Sequence, residues 1–170
     1  MKRLIYSVVT AAILLSGTVI TACSNDDNKN EDVIVGKEYI ETLRKLYPSA
    51  KNIEWERKNG YTIAEFRNDR HHETEVWLDD KAEWVMTATD FDRDITQLPL
   101  EVITAWEHCD YSSWTVDDVE LYQRRDGNYY IIEVEKQGQP DTDLVFLPEG
   151  VLTAVRPNTY GEITPLTPFL

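Results

Sequence analysis

Asp90, Asp92 and Asp94, followed by Glu101, place carboxylates at positions one, three, five and twelve of a twelve-residue stretch. Those are the acidic positions of the EF-hand loop, where hard oxygen ligands suit calcium. Ile95 stands where that loop needs glycine, Arg93 adds a competing cation and Pro99 falls inside the stretch, so an EF-hand proper is not expected. A looser calcium site from the same oxygens is one reading, and solvated turn acids are the other; no other cofactor is expected. His71-His72 beside Glu73 and Glu75 has the composition of a zinc or hydrolytic site. Adjacent strand residues point to opposite faces, however, and no H-E-x-x-H spacing occurs, so the pair reads as a polar hairpin tip. His108-Cys109 does not make a nucleophile and base, because adjacent helical positions point apart. No G-x-S-x-G elbow is present. Glu65 and Glu133 occupy repeat-related positions with no deep pocket implied, which argues against a glycosidase pair. No catalytic residue is assigned, and the chain reads as a non-enzyme.

Cys23 supports a different chemistry. Lys2-Arg3, an apolar run from Val8 to Ile20 and the small residues Thr21-Ala22 precede it, the three parts of a secretory signal. The run is broken by Thr10, Ser16, Gly17 and Thr18, unlike a spanning helix of roughly 20 apolar residues. Ile20-Thr21-Ala22-Cys23 resembles the bacterial lipobox, which implies cleavage before Cys23, a thioether-linked diacylglycerol and an amide-linked acyl chain. Residues 1–22 are then a signal peptide and Cys23 the membrane anchor, since acyl chains contribute about 0.8 kcal/mol per buried CH₂. Residues 23–35, with almost no apolar content over Ser24 to Asp32, form a flexible acidic tether. Ser24-Asn25-Asp26-Asp27 resembles the signals that carry some lipoproteins to the cell surface, and a solvated spacer accounts for it equally. The expected location is the cell envelope, lipid-anchored to the outer membrane, on its periplasmic side or at the surface.

The formal charge is −14, and loss of Lys2 and Arg3 with the leader deepens it. Such a surface repels phosphate backbones, so nucleic acid is not an expected partner; basic proteins, peptides and divalent cations are. With Cys23 lipidated, Cys109 has no disulfide partner and is expected to be buried as a small hydrophobe.

Two blocks of sequence match at an offset of about 68 residues, too long for a solenoid unit and suited to a duplicated α+β module. Ile63 and Glu65 fall on Ile131 and Glu133, and Trp77-Leu78 on Val145-Phe146. Ile40, Leu43 and Tyr47 make one helical stripe, stopped by Pro48. Alternation then predicts strands over 53–57, 61–66 (after Asn59-Gly60), 73–78 and 83–91. Pro99 opens a second helix with Val102, Ala105 and Trp106 on its stripe, followed by strands over 116–124, 128–135, 142–147 and 152–156. The domain plan is a first repeat over 36–96, a second over 97–157 and a loosely placed C-terminal tail over 158–170.

A helix must cover one sheet face. Ala64, Phe66, Val76, Leu78, Tyr130, Ile132 and Val134 lack charge and are the expected helix-facing set. The opposite set is Tyr61, Ile63, Glu65, Glu75, Trp77, Tyr129, Ile131 and Glu133, which mixes large rings with carboxylates instead of the usual Thr, Lys and Gln. Trp and Tyr are enriched where proteins bind one another, so these eight residues are the candidate surface for an envelope protein or a basic peptide. The competing arrangement buries that face too, by dimerisation or by packing between units.

Tyr47-Pro48-Ser49-Ala50-Lys51-Asn52-Ile53-Glu54-Trp55, then Gly60-Tyr61, Ala64-Glu65-Phe66, Glu75-Val76-Trp77-Leu78-Asp79 and Glu83-Trp84-Val85, resembles the PepSY-like, beta-lactamase-inhibitor-like family of exported bacterial proteins. The resemblance spans roughly 37–156, is clear in the first unit and is degraded in the second, where Leu147-Pro148-Glu149-Gly150 replaces the Asp79-Asp80-Lys81-Ala82 turn. It implies an α+β fold in which two tandem helix-plus-four-strand units form one curved antiparallel sheet with helices on one face. The family takes its name from an inhibitor that clamps a beta-lactamase with its concave face. Shared architecture hosts unrelated functions, so lactamase inhibition is not carried over; the related modules imply, by analogy, binding to a peptidase or other envelope enzyme. The expected function is protein or peptide recognition through the helix-free face, with a calcium-regulated structural protein as the alternative.

Overall fold

Local sequence accounts for most of the elements in the computed structural model, which describes residues 33–158 and 163–169. The leader, Cys23 and nearly all of the tether lie outside the described residues. Helix α1 (Lys37–Leu46) carries Glu38 in its first turn and Arg44 and Lys45 in its last, matching the helix dipole at both ends. A Lys37–Glu41 ion pair at 2.9 Å lies on its exposed side. Eight strands follow: β1 (Glu54–Lys58), β2 (Tyr61–Arg67), β3 (Glu73–Leu78), β4 (Trp84–Asp90), then β5 (Thr115–Arg124), β6 (Gly127–Glu135), β7 (Thr142–Phe146) and β8 (Leu152–Pro157). Between β4 and β5 come a 3-10 turn, Ile95–Gln97, and helix α2 (Leu100–Glu107) with Pro99 at its cap. The β1–β2 turn places Asn59 and Gly60 at φ 53° and 85°, the left-handed pair that a two-residue hairpin needs.

All eight strands form one antiparallel sheet in chain order, so every strand pairs with its neighbours in sequence. The β4–β5 pairing, Met86↔Arg124 to Asp90↔Glu120, joins the two halves without a break. Strand parity then sorts the core. Leu43 of α1 packs with Ala64, Phe66, Val76 and Leu78, and Val102 of α2 packs with Val119, Ile132, Val134, Leu144 and Phe146. The register links these positions across the sheet through Ala64↔Val76, Val76↔Thr87 and Ile132↔Leu144. Positions of the other parity form a third cluster, Ile63, Trp77, Met86, Tyr122, Tyr129, Ile131 and Val145, and no helical residue enters it.

Ile163 and Phe169 complete that third cluster, each only 4% exposed. This corrects the expected loose tail. The segment after β8 has no strand or helix periodicity, but Ile163 and Phe169 have an apolar sheet face to cover. No helix among the described residues is long and apolar enough to cross a membrane.

Candidate functional site: the sheet face opposite the helices

The face built by Tyr61, Ile63 and Glu65 on β2 divides into a covered apolar half and a carboxylate half. In the first, Ile63↔Trp77 and Trp77↔Met86 continue across three strands, and Tyr122↔Tyr129 and Ile131↔Val145 continue it across β5 to β7. Ile63 is 1%, Trp77 0%, Tyr129 3% and Ile131 1% exposed. Four of the eight residues expected to form an open binding surface are therefore sealed within the chain, and Glu133 is also buried. Over Tyr129 and Tyr122 the cover is the segment Ile163–Phe169, which belongs to the same apolar cluster as Ile63, Trp77 and Ile131. The Phe169 ring lies 4.5 Å from Tyr129 and 5.6 Å from Tyr122, centroid to centroid. Arg124 and Arg156 flank it with their guanidinium carbons 5.3 and 5.6 Å from the ring centroid. Arg124 Nη1 donates to the Thr167 carbonyl at 2.7 Å.

Tyr61, Glu65 and Glu75 remain partly exposed, Tyr61 and Glu65 lying on either side of buried Ile63 along β2. Tyr61 stands edge-on to Trp77 at 5.9 Å, and Trp77 Nε1 donates to Glu75 Oε2 at 3.0 Å. Glu54, Glu65 and Glu75 face one another in a single row over β1, β2 and β3. Partial burial, and then repulsion from Glu73, Glu75 and Glu54, raises the Glu65 carboxyl to about 7. A second row runs Asp118↔Glu133, Glu133↔Asp143 and Asp143↔Arg156, ending in a buried ion pair between Arg156 Nε and Asp143 Oδ2 at 3.5 Å. Burial, with Glu120 and Asp90 nearby, raises Asp118 to about 8. Acids paired across strands repel, so both rows oppose folding when ionised.

The calcium reading fails on geometry. Asp94 spends its carboxylate capping the 3-10 turn, accepting from Thr96 Oγ1 at 2.5 Å, Gln97 Nε2 at 2.9 Å and Thr96 N at 3.0 Å, and these bonds, in that order, lower its pKa. Asp90 accepts from the backbone N–H of Asp92, which turns the chain at φ 54°. Arg93 pairs with Asp117. Glu101 projects from the exposed side of α2. Asp90 and Asp94 are turn and cap acids, Asp92 enters the turn through its backbone, Glu101 stands apart on α2, and no group of three or more acidic, His or Cys residues among the described residues is arranged to hold a metal ion.

His71 sits in the β2–β3 turn at φ 68°, and His72 packs edge-on against Phe91 at 5.0 Å. Asn68 organises that turn, its Oδ1 accepting from Arg70 N and His72 N. His108 Nδ1 lies 2.8 Å from the Thr104 carbonyl, while Cys109 is partly buried against the α2 cluster. Sequence reasoning missed Asp118, Tyr122, Arg124, Asp143, Arg156 and Phe169. The period-two run Asp118, Glu120, Tyr122, Arg124 could have placed the first three on this face; Phe169 follows no period.

Residues 59–154 match the family model described as "Putative beta-lactamase-inhibitor-like, PepSY-like". Among solved structures, a BLIP-like protein from Bacteroides fragilis NCTC 9343 is 34% identical, with 78% of this chain and 92% of that one covered at a TM-score of 0.70. A DUF2874 family protein from Bacteroides uniformis ATCC 8492 is 27% identical over 76% of this chain and 94% of that one, also at 0.70. A "putative periplasmic" protein from Bacteroides eggerthii DSM 20697 is 27% identical over 76% and 94%, at 0.68. No curated protein matches the chain. An unbroken eight-strand antiparallel sheet, two helices packed through Leu43 and Val102, and a match over more than half its length together show that the chain belongs to the PepSY-like family.

Proposed function

We propose that this is a non-enzymatic cell-envelope protein that recognises a basic protein or peptide with the partly exposed positions of the helix-free face, Glu65 and Glu75 with Tyr61 farther along β2. The row Glu54, Glu65 and Glu75 carries the reading. Three carboxylates held opposite one another, with Glu65 raised to about 7, oppose folding; a lysine or arginine brought among them relieves that repulsion. Tyr61, on the far side of buried Ile63 along β2, offers a partly exposed ring as a second contact for the same partner. A protein partner accords with the inhibitor-like family, and an envelope location with the periplasmic relative. The leader ending at Cys23 supports a lipid anchor in the outer membrane. Duplication of a helix-plus-four-strand unit is the origin we assign to the element order.

Photo-crosslinking from position 61 in intact cells identifies the partner, and the purified pair then tests the site. Glu65→Gln and Tyr61→Ala are each expected to weaken binding about tenfold or more, the scale of a lost interface contact. Wild-type affinity is expected to rise from pH 6 to pH 8 as Glu65 loses its proton. Unchanged affinity in both variants, with folding intact, would remove this surface from the function. Cys23→Ser should move the protein from the membrane fraction to the soluble one.

A further inference from the structure

The segment Ile163–Phe169 is held on the sheet in the manner of a bound peptide. Its turn is satisfied internally: Thr167 N donates to the Thr164 carbonyl at 2.9 Å, Thr164 N to Thr167 Oγ1 at 2.9 Å, and Leu166 N to Thr164 Oγ1 at 3.3 Å. What it offers the sheet is carbonyl oxygens and apolar side chains. Arg124 Nη1 reads the Thr167 carbonyl at 2.7 Å and Arg156 Nη1 the Pro168 carbonyl at 3.4 Å, while Thr153 Oγ1 lies 3.2 Å from the Val145 carbonyl and 3.4 Å from that of Phe169. Phe169 fills a slot with Tyr129 and Tyr122 as walls and Arg124 and Arg156 at its rim. Leu166, by contrast, is 78% exposed, so the segment touches the sheet at its ends and bows away between them.

We propose that the Tyr122–Tyr129–Arg124–Arg156 slot is a recognition site for an aromatic residue preceded by proline. Residues Ile163–Phe169 are its resident ligand in cis, and a partner segment of the same chemistry displaces them. Each component is general to such ligands. Two guanidinium groups read main-chain oxygens that any sequence presents, while the aromatic slot supplies selectivity for a ring. Proline fixes φ just before the ring and lowers the ordering cost of a ligand arriving from another chain. A tethered occupant does not abolish such a site. It lowers apparent affinity by the fraction of time the slot is filled. This site goes beyond the acidic surface around Glu65: it uses the other half of the face and needs no charge on the ligand, so either can fail alone.

The test uses the full chain and a fluorescent, C-terminally amidated peptide, Ile-Thr-Pro-Leu-Thr-Pro-Phe, followed by anisotropy. Phe169→Ala empties the slot and is expected to bind the peptide about tenfold or more tightly than wild type does. Adding Tyr129→Ala to that variant should return binding to background, and a peptide with alanine in place of its phenylalanine should not bind. A folded Phe169→Ala chain that ignores the peptide overturns the proposal. Should Phe169→Ala not fold, amide exchange of the wild type decides. Amides of Thr164, Leu166 and Thr167 exchanging about tenfold or more faster than those of β7 support a segment that opens by itself, whereas opening only together with the sheet overturns it.

Discussion

Trp77 and Tyr61 touch each other yet should respond differently to truncation. Trp77 is wholly buried, with its indole N–H bonded to Glu75, so Trp77→Ala should cost about 3–5 kcal/mol through the cavity it leaves. Tyr61 is partly exposed, and its loss should cost markedly less, so urea unfolding separates the packing residue from the surface one. Glu65→Gln should behave in the opposite sense. At pH 8 the wild-type carboxyl is ionised against Glu73, Glu75 and Glu54, and a neutral amide removes that repulsion, so the variant should melt higher than wild type. Near pH 4 the carboxyl is protonated and the two melting temperatures should converge. Which ring faces which side was legible from alternation alone, because Ile63, Trp77, Tyr129 and Ile131 do share a face. Their burial was not legible. That of Tyr129 depends on Phe169, forty residues farther along the chain, where neither period nor turn signal marks a contact.

Elements were read well wherever a period or a stop residue wrote them. Pro48 ends α1 next to its observed limit at Leu46, and Asn59-Gly60 turns the first hairpin. The 3-10 turn at Ile95–Gln97 was invisible to a helix-or-strand reading, since a cap from Asp94 builds it and no apolar stripe does. The same carboxylate that suggested calcium is a local turn device; Asp94→Ala should cost about 1 kcal/mol, the usual value of such a cap. Calcium at millimolar concentration should leave the melting temperature of the wild type unmoved. The β7–β8 hairpin shows a closer dependence between elements. Gly150 has φ +80°, and a Cβ there would lie 2.4 Å from the Glu101 carbonyl of α2. Gly150→Ala therefore meets both left-handed strain and backbone that cannot yield, and should lose more than about 1 kcal/mol by denaturant melt. A Gly127→Ala control meets only strain, its nearest neighbour being the Tyr129 hydroxyl at 3.9 Å.

At the scale of the whole molecule, a formal charge of −14 and two rows of facing carboxylates act in the same direction. Glu65 is raised from 4.5 to about 7 and Asp118 from 3.8 to about 8, so the folded chain holds protons that the unfolded chain releases. Where the native state binds more protons, stability falls as pH rises. The contribution of these two groups is complete below their unfolded values, near pH 4, and is lost progressively as pH climbs through about 7 and then about 8. Self-repulsion of the acidic surface adds to the trend at low ionic strength and fades with salt, whereas partly buried groups are screened less. The urea midpoint should therefore be higher at pH 5.5 than at pH 8.5. Much of the difference should survive added salt and should shrink in the double variant Glu65→Gln, Asp118→Asn. A midpoint that rises toward pH 8.5, or a double variant with the wild-type slope, would mean that other groups govern the balance and that the two rows are screened or relaxed in solution.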